Sequence, residues 1–122
     1  MLFFLALDIN IKMYHWMTKS YARHKASDEL HEKMLALGDK FVEVYIAKYQ
    51  RPKQPFNKKD LSAMVLHSLN DSNVETYLND CVQYLMKGMM SYISVDKDVD
   101  LINIRDDLVT EIMQAKYLFT LH

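Results

Sequence analysis

The sequence predicts an all-α fold: one four-helix bundle domain over residues 1–122, with a long crossover between its second and third helices. Three observations predict it. Only two glycines and two prolines occur, and both prolines fall in "RPKQPF". The turn residues that a fold of short strands needs, roughly every ten positions, are therefore missing. Leu, Met, Ala, Lys, Glu and Gln, all good helix formers, are abundant. Half of the residues are apolar, enough for one compact core, and they recur at helical spacing in four segments.

The first helix is expected over about residues 2–19. Asp8, Lys12, His15 and Lys19 share one narrow stripe, and nearly all the remaining circumference is apolar, from Leu2 to Met17. So wide an apolar surface implies burial on two sides, by its own bundle and by a partner chain. No glycine or proline marks a break near Ser20, so Thr18 and Ser20 serve as the caps; the alternative is one continuous helix over 2–49. The second helix, about 21–49, has a core stripe of Leu30, Met34, Leu37, Phe41, Val44 and Tyr45. A second, mixed stripe carries His24, Asp28, His31, Leu35, Val42 and Ile46, with Asp39 and Glu43 along its edge. It reads as a subunit interface, because a plain surface face would not hold Leu35, Val42 and Ile46 in line.

Pro52 and Pro55 end the second helix. The crossover spans 50–71, and in it Asp60 is placed to cap a short helix over about 61–69, "LSAMVLHSL". A link of roughly 20 residues far exceeds the need of an up-down turn. It can run the height of the bundle and leave helices two and three parallel, as in ferritin-like bundles with one crossover. The third helix is expected over about 72–94, with Val74, Leu78, Cys81, Leu85 and Met89 inward. After "VDKDVD" the fourth, about 99–121, carries the cleanest stripe: Leu101, Ile104, Leu108, Ile112, Ala115 and Phe119.

Composition excludes several function classes. A formal charge of −1 argues against a nucleic-acid-binding surface, and the lysines and arginine around the crossover (Lys48, Arg51, Lys53, Lys58, Lys59) read as a solvated face. The single cysteine, Cys81, excludes an intrachain disulfide and a CxxC zinc site, and its apolar helical setting predicts a buried thiol. The opening "MLFFLALD" has no basic n-region and no A-x-A site, and no run approaches the roughly 20 apolar residues of a membrane span. An intracellular protein with no membrane partner is expected.

Chemistry concentrates in "YHWMTKSYARHKASDELHEKM", which holds three of the five histidines and the only tryptophan. Imidazole together with carboxylate suits Fe(II), Mn(II) or Zn(II). A di-metal site inside one ferritin-like bundle uses two Glu-x-x-His motifs. The sequence contains none, and "DELH", with Asp28 three before His31, is the nearest approach. A plainer reading makes the histidines polar positions on amphipathic helices, since Asp and Glu four apart occur on any helix.

Another arrangement matches better. "HW" on helix one, a histidine early in helix two, then an aspartate and a glutamate four apart resemble the ferroxidase motif of Dps proteins. These are mini-ferritins that protect DNA from iron and peroxide. His24, Asp39 and Glu43 keep the family's register within "HKASDELHEKMLALGDKFVE", and the ending "AKYLFTLH" resembles the family's last helix. His15 lies about three residues nearer to His24 than the family spacing, which implies a shorter interhelix turn. The resemblance covers most of the chain in helix order and about 30 residues in motif.

It implies a site shared across a two-fold dimer, the helix-one histidine of one chain facing the helix-two carboxylates of its mate. His15 and His24 would be imidazole ligands, Glu43 a bridging carboxylate and Asp39 a further ligand. The implied metal is iron, the activity oxidation of Fe(II) by peroxide or dioxygen, and the assembly a homodimer or larger homo-oligomer. Trp16 is expected to pack. The basic tail, the glycine after the first histidine and the full family length are absent, so a closed shell and iron storage are not implied. The chain is also similar to small phage and large-DNA-virus proteins carrying "HW.TKS.A.HKA.DEL" and "LINIRD"-like stretches. The runner-up function is accordingly a non-catalytic structural or adaptor bundle, with a virion-associated location as the alternative to an intracellular one.

Overall fold

The computed structural model describes residues 1–53 and 66–121. Among the described residues there are four α-helices: α1 (Leu2–Met17), α2 (Tyr21–Tyr49), α3 (Val74–Met86) and α4 (Val99–Leu118). The first two are separate helices and not one rod. Thr18 leaves α1 with extended backbone (φ −68°, ψ 142°), and the Ser20 side chain accepts the Arg23 N–H at 3.2 Å, capping α2. The turn is three residues long, as short as the histidine spacing predicts.

Contact pairs fix the direction of each helix. Phe4 meets Gly38 at one end of the hairpin and His15 meets His24 at the other, so α1 and α2 are antiparallel. Phe3 lies 4.3 Å from the Tyr84 ring and Asn10 Nδ2 donates to the Tyr77 hydroxyl at 3.1 Å, so α3 runs against α1 and parallel to α2. Lys33 with Glu111 and Tyr49 with Asp98 set α4 antiparallel to α2. The order is up, down, down, up: the four-helix bundle with one crossover that the long link predicts.

One hydrophobic cluster holds the bundle together. The whole expected stripes of α3 and α4 are buried in it, together with Leu30, Met34 and Phe41 of α2 and Phe4, Leu7, Ile11 and Tyr14 of α1. The Cys81 thiol is buried there too, and burial pushes its pKa up to about 11. Gly38 has a steric reason: a Cβ there would stand 3.0 Å from the Phe4 ring, so the bare backbone lets α1 close onto α2.

Several boundaries differ from the sequence reading. The third helix stops at Met86 instead of continuing to about 94, and a 3-10 turn over Gly88–Ser91 follows. Glycine holds helix weakly, and the Tyr84 ring fills the space where a Cβ at position 88 would sit, 2.7 Å from Tyr84 Cδ2. The turn redirects the chain so that Met89 and Ile93 still reach the core. The first helix ends at Met17 instead of about 19. The fourth ends at Leu118 instead of about 121, because Phe119 folds back 5.7 Å from the Tyr14 ring with the Arg23 guanidinium over it. The short helix expected over 61–69 falls largely outside the described residues, and its described end, 66–69, is irregular.

Trp16 is a correction of substance. It is 67 % exposed instead of packed, because position 16 lies on the side of α1 opposite Phe4, Leu7, Ile11 and Tyr14. Leu5, Ile9 and Met13 are exposed with it, forming an apolar strip along α1. The mixed stripe of α2 is divided: Leu35 is 51 % exposed, Val42 packs partly on the chain's own core, and Ile46 lines a cavity. Among the described residues no helix is long and apolar enough to cross a membrane.

Candidate metal centre

The hairpin turn brings His15 and His24 face to face. Their rings stack with centroids 3.9 Å apart and planes 19° from parallel. His15 Nδ1 donates to the His24 carbonyl at 2.7 Å, and His24 Nδ1 donates to the His15 carbonyl at 3.0 Å. A carbonyl oxygen only accepts, so each Nδ1 carries its proton and the bare nitrogen of each neutral ring is Nε2. Ser27 Oγ, fully buried, adds a hydrogen bond to the His24 carbonyl at 3.1 Å. His15 is buried, whereas His24 is exposed. A ring nitrogen held by a backbone carbonyl is how protein sites commonly orient a histidine whose other nitrogen binds a metal.

The seam beside the pair is charged. His15 Nε2 stands 4.0 Å from Asp28 Oδ1, and Lys12 reaches the same oxygen at 3.5 Å. Burial, with Lys12 nearby, holds the His31 pKa below its ordinary value. One helical turn before Lys12, Asp8 has a buried Oδ1 without a hydrogen-bond partner, and burial pushes its pKa up to about 6. Asp28 and His31 therefore sit near the histidine pair, as an interface or auxiliary position would.

Asp39 and Glu43 come together at the other end of α2. Both are exposed, and neither is within ion-pair distance of a cation among the described residues. Hydrogen bonding and charge from Asp39 hold the Glu43 carboxyl above the usual carboxylate range. Within one chain the two pairs stay apart. His24 and Asp39 are fifteen residues apart on one straight helix, about 22 Å at ~1.5 Å per residue. Among the described residues no three His, Cys, Asp or Glu side chains of a single chain converge on a point that holds a metal ion.

Sequence reasoning missed three polar ties. Asp71 accepts from Tyr14 and Thr18, each at 2.8 Å, and Arg23 donates to its carbonyl at 3.1 Å, pinning the end of the crossover to the hairpin turn. Buried Asn10 bonds the His67 N–H and the Tyr77 hydroxyl. Asp98 accepts from Tyr49 at 2.6 Å, from Lys48 at 3.0 Å and from the Ser94 N–H at 2.8 Å. A signal existed only for Asp98, which stands just before the fourth apolar stripe, where helix caps sit. Arg105, which interrupts that stripe, pairs with Asp106 of its own "RDD" run and not with Asp39 or Glu43.

These features define a class: a one-crossover helical bundle with an oriented imidazole pair at the hairpin turn and an unpaired carboxylate pair two-thirds of the way along its second helix. The chain belongs to the family described as "Family of unknown function (DUF5856)", whose profile matches residues 15–119. No curated protein and no solved structure matches it.

Proposed function

We propose that this protein is a homodimer that binds Fe(II) between its subunits and oxidises it, in the manner of the Dps proteins its motif resembles. The observation that carries the reading is the reciprocal His15–His24 pair. It spends both Nδ1 protons on backbone carbonyls, which makes Nε2 the bare nitrogen of each ring, with Asp28 Oδ1 4.0 Å from that of His15. Imidazole nitrogen with carboxylate oxygen is a donor set that Fe(II) accepts.

The register along α2 supports the dimer. A two-fold axis that carries His24 of one copy onto Asp39 or Glu43 of the other must cross α2 near residues 31–34, midway between them. Leu35 lies there, exposed, and the exposed Ile9 is at that level of the antiparallel α1. The apolar surface that needs covering and the pairing of nitrogen donors with oxygen donors for one metal ion therefore call for the same axis. In the assembled site His15 and His24 supply neutral nitrogens. Glu43 and Asp39 supply negative charge, and a cation between them relieves the repulsion that raises the Glu43 pKa. Fe(II) is the substrate: peroxide accepts one electron from each of two Fe(II) and, with two protons, becomes two waters.

The test is direct. Protein mixed with Fe(II) and peroxide should raise ferric absorbance faster than the protein-free control, and His15→Ala should return the rate to that control. A folded dimer that gives no acceleration overturns the chemistry. It would leave the second reading, a non-catalytic bundle whose α1 face serves assembly alone, which the exposed Trp16 strip supports without any metal.

A further inference from the structure

At the opposite end of the hairpin from the histidines, the start of α1, the end of α2 and the 3-10 turn border a half-open cavity of about 580 Å³. That volume lies within the roughly 300–1,000 Å³ typical of small-molecule sites. Its walls are largely aromatic: Phe3, Phe41, Tyr45, Tyr84 and Tyr92 all line it. One residue with a charged side chain lines it too, Arg51, which forms no ion pair among the described residues. Lys48 next door is already committed to Asp98 and Asp100, so among the described residues Arg51 is the side-chain cation at this cavity without an acidic partner.

The backbone at the rim is strained. Gln50 sits at φ 73°, ψ 160°, a conformation that is nearly exclusive to glycine. Such strain persists where surrounding structure over-determines it, and it collects at ligand clamps. Here it turns the chain out of α2 so that Arg51 and Pro52 close the side of the cavity.

We propose that this cavity binds an apolar monocarboxylate, a medium-chain fatty acid, with the tail among the aromatic rings and the carboxylate on Arg51. A tail without an anion leaves the guanidinium unmatched, and an anion without a tail leaves the aromatic walls wet. The guanidinium fork fits a carboxylate with two parallel hydrogen bonds. The inference is independent of the metal reading, since no proposed ligand residue lines this cavity.

Decanoate below its micelle concentration is the probe, titrated into protein carrying ¹³C-methyl methionine. Met89 lines the cavity and Met34 is buried elsewhere in the core, so the Met89 signal should shift while Met34 stays. Arg51→Gln, at an exposed position, should weaken decanoate by about ten-fold, the scale of one charge-assisted contact, and leave decanol unchanged. Ile46→Trp, which fills the cavity from a half-exposed site, should abolish both. No Met89 shift at millimolar decanoate overturns the proposal. So does equal affinity in Arg51→Gln, or decanoate binding that survives Ile46→Trp.

Discussion

Two acidic places on the second helix and its neighbours are built in opposite ways. At the base of α4, Asp98 is completely buried and receives three donors, from Tyr49, Lys48 and the Ser94 backbone. Asp39 and Glu43, one turn apart on α2, are exposed, have no ion-pair partner among the described residues, and press on each other. The Asp98 site is a closed account of charge and hydrogen bonds, holding α2 to α4. The Asp39–Glu43 site is open, and its electrostatics improve only when something positive arrives from outside the chain. The histidine pair presents two bare Nε2 lone pairs, which likewise take a proton donor or a metal cation.

Breaking the closed site should cost most. Asp98→Ala strands the Tyr49 hydroxyl and the Ser94 N–H and should lower Tm by on the order of 10 °C. The same carboxyl gives the fold an acid limit. Its donors, Tyr49 first, hold its pKa down at about 2. The ordinary unfolded value is about 4, so the folded state favours the ionised form. The stabilisation is complete above pH ~4 and disappears as pH falls toward ~2. Denaturant midpoints measured from pH 5 to 2 should fall in the native protein, with a flatter profile in Asp98→Asn.

The histidine pair comes next. His15→Ala removes a buried ring, its Nδ1 hydrogen bond to the His24 carbonyl and the stacking on His24, for a loss of about 1–3 kcal/mol in chemical denaturation. His24→Ala, at the exposed partner, should cost less by the same measurement while also abolishing Fe(II) oxidation. Equal costs would mean that the pair is simply a structural clip.

The open apolar face should matter for assembly more than for folding. Leu35→Asp, on an exposed position, should leave Tm within a few degrees of the native value and convert the proposed dimer to monomer in sedimentation. Trp16 reports the same event: the only tryptophan, exposed in one chain, should emit at shorter wavelength in the native protein than in Leu35→Asp. Identical spectra and masses would remove the dimer.

How much of this was legible beforehand depends on the range of the interaction. The stripes of α3 and α4 were readable residue by residue, because helical period and burial are local properties of sequence. The crossover topology was readable from the length of one link. The end of α3 was not, because the obstacle at Gly88 is the Tyr84 ring, whose position is set by Phe3 on a distant helix. Trp16 was misplaced for a related reason: α1 is apolar nearly all round, so its pattern alone does not say which side meets the core. His15 and His24 were found as candidates, but their reciprocal lock depends on a turn geometry that no spacing encodes. Asp39 and Glu43 were found as a pair, and their distance from the histidines was a matter of helix length.

The smallest expected effect sharpens the comparison furthest, because its sign is opposite to that of Asp98. Asp39 holds the Glu43 carboxyl above its ordinary pKa, so the folded chain binds that proton more readily than the unfolded chain does. By linkage, this contribution favours folding at low pH and is lost as pH rises through the folded pKa. At neutral pH the two charges therefore work against the metal-free fold. Glu43→Gln should raise Tm slightly at pH 7 without metal, and the gain should fade on acidification. Adding Fe(II) anaerobically should stabilise the native protein and leave Glu43→Gln unmoved, reversing their order. A native protein already more stable than Glu43→Gln without metal would mean that this acidic pair is satisfied within the fold, and the contrast with Asp98 would collapse.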